Sequence, residues 1–581
     1  MLSKFRFFYK NLLSEAHQKY FKYMFVLILC GTILETLSIG MVIPVLNILV
    51  SNDPKENFGT ILKFLNLENL SKNELFLLSI IILFLIFTIK SIFLTFLKFK
   101  ESRYIADIKN YLSCKFYSIY INKPYLFHLK TNSFILKRNL LNVDKISSMM
   151  RAFLNLQTEF LVFASLLTLL IIYEPKGALS SILIFGTTGF FFITKIAKFA
   201  KKWGEQNTIH NGLILKDMQQ GFGAIKEVKL FGAEKEIINN FRINREASAE
   251  SEFKNTFIIS LPRVWLEWLI ILVIIALVMI LSKNNSDINS YIPVIGLFGA
   301  AAFRLTPSIS RIMSASQGIR FYLPVVEPII KDIFESKEEE IVNTQEKIQS
   351  KSITLHLSKS LIELKNVNFA YPESKNNIFK GINFNIHHGS VVGIVGVSGV
   401  GKTTLINLIM GLIKPTSGSI LVNGENIFEN IKGWQNLIGY VPQNVYLNDE
   451  SIRKNVAFGL KDDFIDSSKI SKAIEGAQLS DFISSLEEKT HTNIGEFGDK
   501  LSGGQKQRIG IARALYRDPK IFIMDESTNS LDYKTEKAIL EEVKLLQKDK
   551  TILIIAHRPS SLKICDRILE IDTSGIKEKK L

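Results

Sequence analysis

Six long runs of mostly apolar residues constrain this chain more than any other feature. They lie at about 21–50, 74–98, 153–173, 177–198, 256–281 and 290–315. A helix needs about 20 predominantly apolar residues to cross the hydrocarbon core of a bilayer, and each run provides that length. The sequence therefore predicts an α-helical polytopic membrane domain with six transmembrane helices.

Basic residues are distributed unevenly around these runs. The segments after the first, third and fifth runs are short or poor in net positive charge, whereas the loops at 99–150 and 199–255 are long and rich in Lys and Arg. The positive-inside rule then places both long loops and both chain ends in the cytoplasm. Membrane topology explains the net charge of +16 better than DNA does, and we expect no nucleic acid partner.

The remaining chain divides around this membrane half. The basic N-terminus precedes an apolar run that is too long for a signal peptide, so we interpret that run as the first span. After it, GTILKFLNL has the spacing of an amphipathic helix on the outer membrane surface, or forms a solvated loop. The predicted parts are a cytoplasmic arm at 1–20, the transmembrane domain at 21–325, a charged linker at 326–358 and a soluble domain at 359–581.

The soluble domain contains a phosphate-binding loop. The stretch GVSGVGKTT follows the apolar VVGIV and precedes the helix-like LINLIMGLI, which is the strand, loop and helix context of a P-loop. The backbone N–H groups of such a loop surround phosphates at a helix N-terminus, its Lys contacts the β- and γ-oxygens, and its hydroxyl faces Mg²⁺. The predicted nucleotide contacts are Gly396, Ser398, Gly399, Gly401, Lys402, Thr403 and Thr404, and Thr403 is also a predicted magnesium ligand.

A second acidic motif follows an apolar strand. IFIMDE ends in Asp525 and Glu526. Asp525 is predicted to hold Mg²⁺ through a water molecule and Glu526 to polarise the attacking water, because phosphoryl transfer depends on positioning and charge neutralisation.

The segment LSGGQ, before the helix-like KQRIGIARAL, completes the set. With it, the whole soluble half resembles the ATP-binding cassette (ABC) family, an α/β P-loop NTPase domain that uses ATP and Mg²⁺. The resemblance implies a stacking aromatic at Tyr371, a Q-loop magnesium and nucleotide ligand at Gln443, a D-loop ending in Asp532 and a switch histidine at His557. It further implies that a partner's P-loop meets the signature residues Ser502, Gly503, Gly504 and Gln505.

One cassette per chain implies a homodimer in that family. Because Glu526 and His557 are both present, we expect both composite sites to hydrolyse ATP. The departures are Thr403 in place of the commoner Ser, Asn529 in DESTNSLD, and GEFGDK before the signature. These departures bear on how ATP hydrolysis is coupled to the membrane half, and not on hydrolysis itself.

Six spans followed by one cassette resemble the half-transporter arrangement of ABC exporters. Members of that family couple the two halves through short helices at the tips of the cytoplasmic loops. The segments 123–134 and 216–234 have the position for this role. The alternative is that both form ordinary loop helices.

Ionisable side chains at membrane depth need an explanation, because each costs at least about 2.5 kcal/mol on insertion scales. One alternative is structural: Arg263 and Glu267 are four residues apart and could pair, and Arg311 could reach the cytoplasmic interface. The other is a cationic cavity wall, since Arg304 and Arg311 lie seven apart on one helix face. The membrane half also contains Lys90, Glu35 and Glu159.

The membrane half resembles the bacterial lipid-linked oligosaccharide flippases, in the stretches LETLSIGMVIPVL, LPRVWLE and FRLTPSISRI. In that family a cationic cavity faces the pyrophosphate of a polyprenyl-linked glycan. The resemblance implies a multi-pass protein of the bacterial inner membrane that flips such an anionic lipid. The hypothesised substrate contacts are Lys90, Arg263, Arg304 and Arg311, with the orientation of Lys90 and Arg263 left open.

Two other functions compete with this hypothesis. The first is export of another amphiphile, such as a lipid A precursor, a peptide or a drug. The second is an ATP-gated channel or a membrane ATPase regulator, which the presence of Glu526 and His557 disfavours.

Overall fold

The fold divides into two compact units. The first comprises Met1–Lys123 and His128–Glu339, and the second comprises Pro124–Phe127 and Glu340–Leu581. The computed structural model describes residues 9–50, 71–173, 175, 186–187, 191–192, 194, 197–282, 305–329, 361–372, 374, 376–527, 532–556, 558–572 and 575–579.

The described part of the first unit is helical. Its helices are long because the apolar runs continue as helix into segments rich in charged residues. They are α1 Glu15–Gly40, α2 Val42–Val50, α3 Lys72–Asn122, α5 Ser133–Leu141, α6 Val143–Tyr173, α7 Ala197–Gly223, α8 Ile225–Phe231, α9 Glu234–Ser282 and α10 at 305–329, while α4, Tyr125–Lys130, begins in the second unit.

Three helical stretches within the described residues are long and apolar enough to cross a membrane: Glu15–Leu46, Lys72–Asn122 and Ser133–Ile172. They include most of the first predicted span, all of the second and nearly all of the third, and the first helix begins at Glu15 rather than at residue 21. Ser14 caps this helix by accepting a hydrogen bond from the His17 N–H. The 51 residues of α3 extend about 77 Å, so this helix continues well beyond a hydrocarbon core of about 30 Å.

The other predicted spans are described only in part. The fifth, 256–281, lies inside α9, which contains Pro262. Most of the fourth, 177–198, and residues 290–304 of the sixth lie outside the described residues, as does the GTILKFLNL segment.

Close packing between α7 and α10 depends on one glycine. A Cβ atom at Gly204 would lie 2.1 Å from the Phe321 carbonyl oxygen. Only a residue without a side chain allows the two backbones to approach this closely. The outer surface, by contrast, exposes large apolar side chains such as Phe84 and Ile92, as expected for helices that face lipid.

The second unit contains two sheets. A four-stranded antiparallel sheet has the order β2-β1-β4-β5, and a six-stranded sheet has the order β10-β9-β3-β8-β7-β6 with only β10 antiparallel. The strands are β1 Ile362–Phe369, β2 Phe379–Ile386, β3 Val391–Gly396, β4 Ser417–Val422, β5 Glu425–Asn426, β6 Ile438–Val441, β7 Ile521–Asp525, β8 Thr551–Ile555, β9 Arg567–Asp572 and β10 Gly575–Lys579.

Helices cover the larger sheet, and its central strands are mostly apolar. Every residue of β7 and β8 is buried, as is typical of parallel strands covered on both faces. The helices are α11 Lys402–Ile409, α12 Ile431–Gln435, α13 Ile452–Val456, α14 Ser467–Gly476, α15 Ser480–Ser484, α16 Gly503–Tyr516, α17 Tyr533–Leu545 and α18 Pro559–Leu562, with 3₁₀ turns at Ile427–Glu429, Asp462–Phe464, Lys489–His491, Glu496–Gly498 and Leu546–Lys548.

This topology brings the sequence motifs to one edge. β3 leads into the P-loop, and β7 ends in Asp525. Between them lies β8, which ends two residues before His557. Ligands of open α/β sheets bind at the carboxyl ends of parallel strands, so the order of the strands defines where the site lies.

The short segment Pro124–Phe127 belongs to this second unit. It comes from the first of the two predicted coupling segments. Leu126 packs against the hydrophobic core that the smaller sheet shares with α11 and β3. The other predicted coupling segment, 216–234, spans the end of α7, all of α8 and the start of α9.

Candidate nucleotide site and membrane cavity

The P-loop connects β3 to α11 through glycines in left-handed conformations. Gly399 has φ +80° and Gly401 has φ +110°, values that residues with a Cβ rarely adopt. Lys402 is buried, and its Nζ donates hydrogen bonds to the carbonyl oxygens of Gly396 at 2.9 Å and Val397 at 3.2 Å. The ammonium group is therefore held beside the loop whose amides are predicted to surround phosphates.

The predicted adenine-stacking residue, Tyr371, lies beside this loop. Its hydroxyl is 3.3 Å from Thr404 Oγ1, and its ring meets Phe369 edge-on with centroids 5.0 Å apart. The structure thus brings Tyr371 and the P-loop together, while stacking of its ring on adenine stays a prediction of the family resemblance.

Two carboxylates follow β7 and differ in their surroundings. Asp525 is 7% exposed, and burial, with the neighbouring Glu526 charge, raises its pKa, whereas the hydrogen bond from Tyr440 and the charge of Lys402 oppose this shift. Glu526 has φ +48°, an uncommon conformation for a residue other than glycine. Gln443 Nε2 donates a 2.7 Å hydrogen bond to Glu526 Oε2.

These side chains fit a hard divalent cation. The predicted ligands Thr403, Gln443 and Asp525 offer hydroxyl, amide and carboxylate oxygens, which Mg²⁺ prefers together with water and phosphate. A buried carboxylate with a raised pKa is stabilised by a nearby positive charge. Among the described residues, only Tyr440 hydrogen-bonds the side chain of Asp525, through Oδ2, which leaves Oδ1 for a ligand.

The signature segment forms the N-terminus of α16 through a capping box. Ser502 Oγ accepts from the Gln505 N–H at 3.3 Å, and the Gln505 side chain accepts from the Ser502 N–H at 2.8 Å. The Ser502 hydroxyl proton and the N–H groups of Gly503 and Gly504 remain as donors at the positive end of a 14-residue helix. Anions bind at such ends.

The D-loop and switch regions are described only in part, since residues 528–531 and His557 lie outside the described residues. Asp532 caps α17 by accepting from the Thr535 N–H at 3.0 Å, and hydrogen bonds from Thr535 lower the pKa of Asp532. Sequence reasoning missed Glu536. This carboxylate is 2% exposed and accepts from Arg558 at 2.9 Å, Ser560 at 3.1 Å and Ser561 at 3.0 Å.

The first unit contains a cavity of about 730 Å³. Among the residues that line it are Lys109, Asp144, Arg151 and Arg311. Lys109 is neutralised by Asp144 at 2.7 Å. Sequence reasoning missed Arg151, which lies two helical turns beyond Asp144 on the same face of α6.

Arg311 is held by its Nε atom. This atom lies 3.1 Å from Glu159 Oε1 and 3.3 Å from the Pro307 carbonyl oxygen, and Ser308 Oγ donates to Glu159 Oε2 at 2.7 Å. Within the described chain, no hydrogen bond reaches the two terminal guanidinium nitrogens of Arg311. Because Arg311 is among the residues that line the cavity, these two nitrogens are candidate donors to a ligand there.

Of the other hypothesised substrate residues, the two that the structure describes, Lys90 and Arg263, are engaged elsewhere. Arg263 pairs with Glu267 at 3.2 Å, which is the structural alternative. Lys90 donates to Ser38 Oγ at 3.2 Å and lies 4.5 Å from the centre of the Phe87 ring. Neither cation is among the described residues that line the cavity, and Arg304 lies outside the described residues.

Comparison with known proteins agrees with this geometry. Residues 379–529 match the model of the family described as "ABC transporter". An ATP-dependent lipid A-core flippase of Wigglesworthia glossinidia brevipalpis is 31% identical over 406 residues, covering 69% of this chain and 68% of the relative. The flippase of the same name from Cupriavidus pinatubonensis is 29% identical over 461 residues, covering 78% and 76%.

A solved structure shows the same fold. The structure of a bacterial Atm1-family ABC exporter with ATP bound superposes with a TM-score of 0.74 at 22% identity, and covers 94% of this chain and 93% of the other. A helical membrane domain fused to an α/β ATPase cassette defines an ATP-driven membrane transport protein. The chain belongs to the ABC transporter family, as an exporter-type half-transporter. It is therefore a multi-pass membrane protein that binds ATP and couples ATP hydrolysis to transport.

Proposed function

We propose that this ABC exporter is a flippase that moves a lipid-linked oligosaccharide, carried on a polyprenyl diphosphate, across the bacterial inner membrane. One observation carries the proposal: Arg311, fixed by Glu159, lines a cavity of about 730 Å³ and keeps one guanidinium edge without a partner within the described chain. Such an edge binds phosphate oxygens in pairs through charge-assisted hydrogen bonds.

The charges around the cavity fit an anionic headgroup. The pairs Lys109–Asp144 and Arg311–Glu159 are each neutral overall, whereas Arg151 has no ion-pair partner among the described residues. Each chain thus contributes about one net positive charge from these groups. Two chains would match the two negative charges of a diphosphate diester. Arg304 lies outside the described residues, but its spacing of seven from Arg311 predicts that it would add to this attraction.

The residues of the cassette have the following proposed roles. Lys402 and the P-loop amides bind the phosphates, Tyr371 stacks on adenine, and Glu526 orients the attacking water, with His557 beside the γ-phosphate. Asp525, Gln443 and Thr403 hold Mg²⁺. When bound, Mg²⁺ neutralises charge on the β- and γ-phosphates during phosphoryl transfer.

We further propose that the protein acts as a homodimer with cytoplasmic N- and C-termini. Ser502, Gly503 and Gly504 of one chain would face the P-loop of the other, because the capped helix α16 directs its N-terminal donors outward. Asp532, at the start of α17, would lie near the same junction. The segment Pro124–Phe127, which belongs to the cassette unit, supports the proposed role of the first coupling segment.

A second candidate is a lipid A-core flippase. Two relatives that match most of this chain carry that name, and the phosphorylated headgroup of lipid A would also suit the cations of the cavity. The two candidates differ in the group that must be recognised, which is a diphosphate diester on a polyprenyl chain in one and phosphate monoesters on an acylated disaccharide in the other.

Proteoliposomes distinguish these candidates. Purified protein is reconstituted with a fluorescent polyprenyl-diphosphate oligosaccharide or with lipid A, and ATP-dependent movement between leaflets is measured. We expect the wild type to move the diphosphate lipid, the Glu526→Gln variant to move neither lipid, and the Arg304→Ala/Arg311→Ala variant to hydrolyse ATP without moving the lipid.

Arg263→Ala is the matched control, because this arginine pairs with Glu267 on its own helix. It should retain most of the transport. If the wild type moves lipid A but not the diphosphate lipid, the second candidate replaces the first. If the Arg304→Ala/Arg311→Ala variant and the Arg263→Ala control lose transport equally, Arg311 does not have the role assigned to it.

A further inference from the structure

Two adjacent segments of the cassette are joined by a pair of side-chain hydrogen bonds. Residues 440–443 contain the end of β6 and the Q-loop glutamine, and residues 525–526 contain the two carboxylates. Gln443 Nε2 donates to Glu526 Oε2 at 2.7 Å. Tyr440 Oη donates to Asp525 Oδ2 at 3.3 Å, and the motifs assign this tyrosine no role.

The register of the sheet explains how Tyr440 reaches Asp525. In the parallel pair of β6 and β7, Tyr440 lies opposite Ile523. Side chains alternate between the two faces of a strand, so Ile523 and Asp525 point to the same face as Tyr440. Two residues of strand extend about 6.6 Å, a distance that a tyrosine side chain lying along the strand can span.

The contact matters because Asp525 is nearly fully buried at 7% exposure. With Oδ2 occupied by the hydroxyl, the carboxylate is fixed in rotation and presents Oδ1 to its surroundings. A partner that hydrogen-bonds a metal-binding carboxylate sets the orientation and basicity of that ligand. The separation of 3.3 Å is longer than the roughly 2.5–3.0 Å usual for an O–H···O hydrogen bond, so a small shift of Tyr440 would strengthen or break it.

Tyr440 and the segment Pro124–Phe127 belong to the same unit of the fold. Tyr440 and Leu126 pack against the same hydrophobic core, and Tyr125 lies close enough to Tyr440 to interact with it electrostatically. The side chain that hydrogen-bonds the carboxylate predicted to bind Mg²⁺ therefore packs on the same core as Leu126 of the first cytoplasmic loop.

We infer that Tyr440 is a positioning residue, which orients Asp525 toward Mg²⁺ and makes that orientation depend on the segment Pro124–Phe127. The inference concerns the ATPase reaction of the family and does not depend on which lipid is transported. It predicts that metal affinity, rather than affinity for the nucleotide itself, depends on one hydroxyl group.

The test uses the full chain in lipid nanodiscs with a non-hydrolysable imido analogue of ATP. Mn²⁺ replaces Mg²⁺ because both prefer oxygen ligands, and its binding is followed by electron paramagnetic resonance. Tyr440→Phe removes only the hydroxyl. We expect Mn²⁺ affinity to fall about tenfold, as for other losses of a partner to a metal ligand, while metal-free nucleotide affinity and the thermal midpoint remain those of the wild type.

The matched control is Tyr446→Phe, which changes an exposed tyrosine of the same domain and should leave Mn²⁺ affinity unchanged. An unchanged affinity in Tyr440→Phe overturns the inference. So does an equal fall in metal-free nucleotide affinity, because that result would indicate general distortion of the site.

The link to the loop segment is tested by a double-mutant cycle. Leu126→Ala should lower Mn²⁺ affinity in the wild-type background and have little further effect when combined with Tyr440→Phe. The link is overturned if Leu126→Ala changes Mn²⁺ affinity equally with and without Tyr440→Phe, or changes it in neither case. The orienting role of the hydroxyl is judged separately, from the affinity of the Tyr440→Phe variant alone.

Discussion

Replacement of Glu536 by alanine tests whether one buried carboxylate holds the segment that follows the switch histidine. Glu536 is 2% exposed and accepts three hydrogen bonds, from Arg558, Ser560 and Ser561. Because α17, which carries Glu536, begins directly after Asp532, these bonds tie the D-loop helix to the chain just beyond His557. The change removes all three acceptor contacts at once.

The size of the expected loss in local stability follows from how deeply each hydrogen-bond donor is buried. Hydrogen bonds to a charged group contribute about 1.5–3 kcal/mol each, but the Arg558 side chain is 39% exposed and regains water, so its share is small. Ser561 is fully buried, so its hydroxyl would lose this acceptor at a site that water does not reach. We therefore expect a local loss of about 3 kcal/mol, and about half of this for Glu536→Gln, which retains an acceptor for the serines.

Hydrogen–deuterium exchange of the full chain measures this loss locally. A change of 3 kcal/mol corresponds to an exchange rate about 150-fold faster for amides such as those of Cys565 and Asp566, which donate to Leu562 and Val391. Glu541→Ala, on an exposed site of the same helix, is the control. Exchange within twofold of the wild type in Glu536→Ala would refute the reasoning.

Three further changes have defined outcomes. Glu159→Gln removes the charge that fixes Arg311 and should slow lipid movement about tenfold, which is equivalent to a lost hydrogen bond of about 1.4 kcal/mol. Basal ATP hydrolysis should be retained, and an equal loss of transport and hydrolysis would contradict this prediction. The hydrogen bond from Lys550 lowers the pKa of Asp518, so its stabilisation is present above about pH 4 and is lost as the pH falls through the lowered value. Thermal scans of Asp518→Asn against pH should show a smaller acid-dependent loss than the wild type, and identical profiles would exclude this pair as a contributor. Gly204→Ala forces a Cβ atom against a backbone carbonyl at 2.1 Å, so size-exclusion profiles and thermal midpoints should show strong destabilisation, and a wild-type profile would mean that the helices separate at little cost.

Local patterns in the sequence were sufficient for much of the fold and the nucleotide site. The first three apolar runs lie in helices of sufficient length to span a membrane, because apolar length alone decides that outcome. The P-loop and the capping box at Ser502 and Gln505 depend on residues only a few positions apart. The pairing of Arg263 with Glu267 was likewise foreseeable as an alternative, since one helix turn brings the two side chains together.

Long-range packing decided the rest. Ser308 and Glu159 are 149 residues apart in the chain, and Tyr440 and Asp525 are 85 apart, so no local period indicates either contact. Such pairs exist because strand order and helix packing bring distant faces together, and because a buried carboxylate requires donors wherever the fold can supply them. The sequence by itself therefore determined which chemical groups the protein carries, whereas the tertiary structure decided which of them are neutralised, which are oriented and which remain available to a ligand.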